Sequence, residues 1–265
     1  MTGIGVGAGL GVLAGRPLSY SPLTLSTRLN QGGVGDDEII DFSSFAEAHM
    51  NPTLPFTVGS WFKTGSAGSE RNIMCKFDRL AQSGWRFGVD TADKMFMVYH
   101  KDATHYIYAT EAVANTVDSV WHFGVITFDG SALKTGFTLY VDGAPVAMTQ
   151  GNLGAVVDFV QAAPLYVGAA AFGGAGVIND WLGYLCHSFI IAEELTPAEV
   201  AYISSLGVPM NLPVALPTRT INFWSTLGDG CAIAGAGAYP DISGLGHHGT
   251  PYRLDAGDIQ GDIPP

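Results

Sequence analysis

The residue pairs that could do chemistry in this chain are few, and their spacing works against them. Cys186 stands beside His187, a nucleophile next to a base. Neighbours on a strand point to opposite faces, so Cys186 is read as a packed core residue. Glu193 and Glu194 are adjacent in the same way. They precede a helix start and are expected to favour its positive end. No G-x-S-x-G elbow occurs. Gly9, Gly11 and Ala14 fit G-x-G-x-x-G/A. That fingerprint needs a strand before it and a helix after it. Met1 lies too close for the strand and Pro17 stops the helix, so dinucleotide binding is not expected. His247 and His248 share an SGLGHHGT turn, where a turn role is expected rather than joint metal ligation. His122 is read as strand packing with a backbone hydrogen bond. Cys75, Cys186 and Cys231 are odd in number and lack CxxC spacing, which suits neither a disulfide framework nor a zinc site.

Any such residues must be positioned by strands. Of 265 residues, 47% are hydrophobic and 14% charged, which supports a sizeable core and argues against charge-driven disorder. The 35 glycines suit a turn-rich β protein. Twelve basic against 24 acidic residues leave a net charge of −12, which opposes a nucleic-acid groove or an anionic membrane surface. No gly-poor apolar run reaches the length of a membrane helix. Strands are expected at residues 56–63 (FTVGSWFK), 85–90, 94–100, 121–128 (WHFGVITF), 137–141, 144–148, 165–168, 181–191 and 220–226. Asp142-Gly143 between two apolar runs predicts a type I′ hairpin. Thr196-Pro197-Ala198-Glu199 is a capping box with Pro at the first helical position, and Gly207 closes that one short helix. Residues 208–217, with three prolines, read as a linker or strand crossing. The tail from Leu227 is expected to be loop-like, and the apolar, glycine-rich residues 1–22 an extended arm.

Three segments in series resemble the laminin G-like, concanavalin A-like jelly roll. They are FTVGSWFK, then WHFGVITFDG running to LYVDGAPV, then PLYVGAA followed by DWLGYLCHSFIIAEELTPAEVAYI. The resemblance implies an all-β jelly-roll sandwich of two antiparallel sheets with one short helix. Its boundaries would be an arm over 1–22, the laminin G-like sandwich over 23–218, and a C-terminal extension over 219–265 that completes or packs on it. Tyr184-Leu185-Cys186 stands where many members carry Ile-Asp-Glu. The tail FWSTLGDG … YPDISGLGHHGTPYRLDAGDI resembles a segment that precedes the strands in many members, and here it follows them. That order is similar to jelly rolls of tailed-phage virions.

The resemblance implies three functions. The first is a non-enzymatic virion structural protein, capsid-decorating or head-associated, built from copies of itself with a capsid or tail protein as partner. The second is a lectin-like adhesin on a tail fibre, or secreted or at a cell surface, with glycans as partners. Its binding residues would be Trp85, Tyr99, His100, His105, Tyr106, Tyr108 and Trp181, through aromatic rings with polar neighbours. The third is a glycoside hydrolase, but the family's E-x-D-x-x-E motif is absent. Some members bind calcium, which takes six to eight oxygens. Asn179, Asp180, Asp229 and Asp241 would be the ligands here, and solvated loop acids are the competing reading.

Overall fold

The computed structural model describes residues 25–29, 38–158, 161–172, 176–208 and 210–265. The expected arm and its glycine fingerprint lie outside them. The strands are β1 (Ser26–Leu29), β2 (Ile39–Asp41), β3 (Phe56–Lys63), β4 (Arg71–Asp78), β5 (Ser83–Val89), β6 (Met95–Asp102), β7 (His105–Glu111), β8 (Trp121–Phe128) and β9 (Phe137–Val141). They continue with β10 (Ala144–Pro145), β11 (Met148–Leu153), β12 (Tyr166–Val167), β13 (Ala170–Phe172), β14 (Gly176–Ile178), β15 (Gly183–Ile191), β16 (Ile221–Ser225), β17 (Thr250–Tyr252) and β18 (Ile259–Gln260). The first sheet runs β10-β9-β8-β3-β15-β1-β18, with β16 also on β15; the second runs β11-β7-β6-β5-β4-β12-β2-β17. Strands β13 and β14 form a separate small hairpin. Every strand pairing among the described residues is antiparallel, and the two sheets make the expected concanavalin A-like sandwich.

Local signals place most of this. Asp142 and Gly143 both have positive φ, 51° and 82°, as a type I′ turn between β9 and β10 requires. The helix α1 (Pro197–Ser205) has its capping box: Thr196 Oγ1 accepts from Glu199 N–H, and the Glu199 carboxylate accepts from Thr196 N–H. Arg219 grips the same carboxylate with two 2.8 Å bonds, which are the chief reason its pKa falls to about 2. Residues 208–217 differ from expectation. They include a one-turn helix, α2 (Leu212–Ala215), capped by Asn211. Glu193 also differs, because its carboxylate accepts the Thr220 N–H instead of facing the helix end.

Two cores result. Between the sheets lie Phe62, Trp85, Phe87, Tyr99, Phe128 and Trp181. The outer face of the first sheet carries Trp61, Phe123, Cys186, Phe189 and Trp224, covered by Val200 and Ile203 of α1 and by Leu212 and Leu216. Cys186 is buried there as expected, with its thiol pKa pushed well up by burial, and buried His187 is held neutral by the same desolvation.

The tail is less loop-like than expected. Its strand β17 pairs with β2 and its strand β18 with β1, so it adds an edge strand to each sheet. Asp262 locks it: its carboxylate takes Lys63 Nζ at 2.6 Å and Trp121 Nε1 at 2.7 Å. His248 Nδ1 accepts the Asp241 N–H, while His247 stacks on Phe45 at 3.9 Å between ring centroids.

His122 does more than the expected packing. Nδ1 lies 2.9 Å from Asp142 and Nε2 3.2 Å from Asp118. The bond to Asp142 is the main cause raising its pKa. Burial works to raise the Asp142 carboxyl, but the bonds from His122 and from Phe123 N–H outweigh it and hold it low. Raised in the fold, His122 contributes stability in full below about pH 6.5 and loses it as pH climbs through its folded value. Urea midpoints of the wild type are therefore expected to fall across that window, and His122→Gln to flatten the fall. Trp85, wholly buried with Nε1 on the Ala48 carbonyl at 3.0 Å, is expected to cost about 3–5 kcal/mol when changed to Ala, read from the same urea curves.

Candidate functional site

The outer face of the second sheet is assembled by strand register. One cross-strand row runs Phe77, Gly84, His100, Tyr106, Leu153 through β4, β5, β6, β7 and β11. The next runs Cys75, Arg86, Val98, Tyr108, Gly151 through the same strands. Side chains alternate along each strand, so these rows share one face, while Trp85, Phe87, Met97, Tyr99 and Ile107 point into the core.

The rings touch in series. Phe77 meets His100 edge-on at 5.3 Å, His100 meets Tyr106 at 5.0 Å, and Tyr106 meets Tyr108 at 6.3 Å. Tyr108 lies over Gly151: a Cβ there would sit 2.3 Å from the tyrosine ring. The missing side chain is what gives the ring its seat. His100, Tyr106 and Tyr108 remain half-buried.

At the β4 end the row opens into a cavity of about 320 Å³. Its apolar lining is Phe77, Ala170 and Ile178, and its polar lining is Arg79, Gln82, Arg86, His100 and Asn179. The Arg86 guanidinium lies 4.9 Å from the Phe77 ring centroid and 5.7 Å from that of Phe96. Glu70 accepts from Arg86 Nη1 and, at 2.6 Å, from Asn179 Nδ2. The Arg86 plane is thus fixed by rings on one side and a carboxylate on another. Desolvation, followed by the Arg86 charge, pulls the His100 pKa down to about 4, so His100 is a neutral hydrogen-bonding group at pH 7.

The structure divides the seven aromatic candidates. It brings His100, Tyr106 and Tyr108 together. Trp85, Tyr99 and Trp181 are corrected: all three are fully buried between the sheets, where no ligand reaches them. His105 sits beyond the rows at the β6–β7 turn, bound to Asp102 at 2.9 Å and packed on Gly154. Among the described residues no three His, Cys, Asp or Glu side chains gather to hold a metal. The Asp241 carboxylate is occupied by Trp224 N–H, Ser243 N–H and Oγ, and His247 N–H. Asn179 gives its amide to Glu70, Asp180 stands next to it at the β14 end, and Asp229 offers its carbonyl to Thr226. Phe77, Arg79, Gln82 and Arg86 were missed. The signal for Arg86 was its alternation with Trp85 in WRFGVD.

The face can present apolar rings to a flat ligand and hydrogen-bond donors to its polar groups. In a proton–carbon correlation titration, the His100 ring is expected to titrate near pH 4 and the His122 ring above pH 6.5; coincident titrations would contradict the environments described.

A family model described as the concanavalin A-like lectin/glucanases superfamily matches residues 37–201. Among solved structures, a "putative carbohydrate binding protein" from Bacteroides ovatus superposes with a TM-score of 0.58 at 14% identity, over 92% of this chain and 62% of that one. The chain thus spans less than two thirds of that relative. A heptameric SAP-like pentraxin from Limulus polyphemus gives 0.43 at 15% identity, over 68% and 80%. The CBM40 of Ruminococcus gnavus IT-sialidase gives 0.44 at 13% identity, over 57% and 83%. A search of curated protein sequences returned no match.

Proposed function

The chain belongs to the concanavalin A-like lectin/glucanases superfamily, and we propose that it is a carbohydrate-binding module that holds its glycan on the outer face of the second sheet. One observation carries this: Phe77, His100, Tyr106 and Tyr108 form a continuous ring row leading into a polar-lined cavity. Sugar rings present C–H faces that pack on aromatic rings, and their hydroxyls take up the donors and acceptors at the edges. The description of the Bacteroides ovatus relative points the same way.

We read the module as binding without turnover. Retaining hydrolysis needs two carboxylates about 5–5.5 Å apart. Glu70, a carboxylate beside this cavity, is committed to Arg86 and Asn179. A secreted or surface adhesin is the setting this reading favours. Among the described residues no helix is long and apolar enough to cross a membrane. A capsid-decorating or head-associated role on a tailed phage, and self-assembly with a capsid or tail protein, draw no support from the geometry or the relatives.

Binding of the full chain to a broad glycan array tests the proposal. Tyr106→Ala and Tyr108→Ala are each expected to weaken the best ligand by about tenfold or more, equivalent to about 1.4 kcal/mol, with the melting temperature kept. An array without signal, or binding indifferent to both changes, would overturn it.

A further inference from the structure

We propose that the cavity at the end of the ring row selects anionic glycans, those carrying a carboxylate or sulfate group, through Arg79 and Arg86. The proposal rests on the carbohydrate-binding reading and adds the chemical class of its ligand.

The charge pattern is the first argument. The chain has twice as many acidic as basic residues, 24 against 12. The cavity lining reverses this, with two arginines and no carboxylate, and Glu70 beside it is matched to Arg86, which leaves Arg79 as the added charge. A positive recess in a negative surface concentrates field lines and attracts anions.

The second argument is how the arginines are held. Arg86 is fixed by the Phe77 and Phe96 rings and by Glu70. Glu70 takes Nη1, and the buried Nε of Arg86 has no acceptor among the described residues. A buried donor left unmatched is costly, and an oxyanion in the cavity is the kind of acceptor that a guanidinium fork suits. Arg79 sits on the β4–β5 connection. Asp78 pins that loop, accepting from Leu80 N–H at 2.8 Å and Ala81 N–H at 3.0 Å. The loop thus carries Arg79 and Gln82 to the cavity in a set conformation.

The third argument is direction. The tyrosines continue away from the cavity along the same face. A sugar whose acidic group enters the cavity can rest further rings on Tyr106 and Tyr108. A free small anion would have no use for that row.

A glycan array of neutral, carboxylated and sulfated glycans, read with the full chain, gives the test. It is followed by calorimetric titration of the best acidic ligand against its methyl-esterified or desulfated counterpart. The acidic form is expected to bind about tenfold tighter or more, with the margin shrinking as salt rises. Arg79→Gln and Arg86→Gln are each expected to erase that margin. Arg79 is exposed, so its variant keeps the fold if Arg86→Gln does not. Signal on carboxylated glycans alone, or on sulfated glycans alone, identifies which anion the cavity takes. Equal binding of neutral and acidic forms, still lost in Tyr106→Ala, overturns the charge proposal and leaves the carbohydrate reading standing. An acidic preference that survives both arginine variants also overturns it. An array with no signal removes both.

Discussion

Strand alternation across β4 to β7 is the constraint on which the rest depends. A side chain on these strands faces either the space between the sheets or the outside. The inward set fills with Trp85, Phe87, Met97 and Tyr99 and gives the sandwich its core. The outward set is then free to be Arg86, His100, Tyr106 and Tyr108. A one-residue slip in register would exchange the two sets, so the packing energy of the core also fixes the spacing of the surface rings. The site is rigid because it is the reverse side of the core.

The two outer faces of the sandwich have opposite fates. The first sheet spends its outer face on a second core under α1 and α2. Among the described residues, the second sheet has a small outer cluster at its β4 end, where Cys75, Phe77 and Ala170 pack together with Ile178 beside them. The cavity lies where this cluster ends and the ring row begins. Its polar groups are therefore partly desolvated yet reachable, the condition in which a charged hydrogen bond gains most. The low pKa of His100 and the fixing of Arg86 both express that partial burial.

Much of the fold was legible in the sequence because its signals are local. The apolar runs of β3 and β8, the Asp142-Gly143 turn and the Thr196–Glu199 box need only neighbours in the chain. The site was legible in half. His100, Tyr106 and Tyr108 are among the aromatic candidates, but the sequence does not say which parity faces out, since both faces of these strands are apolar: Phe96 and Val98 are buried on the outer side as well. Trp85 and Tyr99 were therefore grouped with His100 and Tyr106. Strand β4 escaped altogether. Its alternation is broken by a bulge between Asn72 and Met74 and by Lys76, which points inward to Ser44 Oγ and the Ala163 carbonyl, burial bringing its pKa to about 8. With β4 went Phe77 and the start of the cavity. The tail strands are two and three residues long, too short for any periodicity.

Those tail strands are also made long after the strands they pair with. Ser26 lies opposite Gln260, and Asp41 opposite Thr250. At roughly 5–20 residues per second of synthesis, β1 and β2 wait on the order of tens of seconds for partners not yet made. During that interval each would leave unpaired backbone groups at a sheet edge, an invitation to strands of neighbouring nascent chains. The clasp of Asp262 on Lys63 and Trp121 thus joins residues made well apart in time.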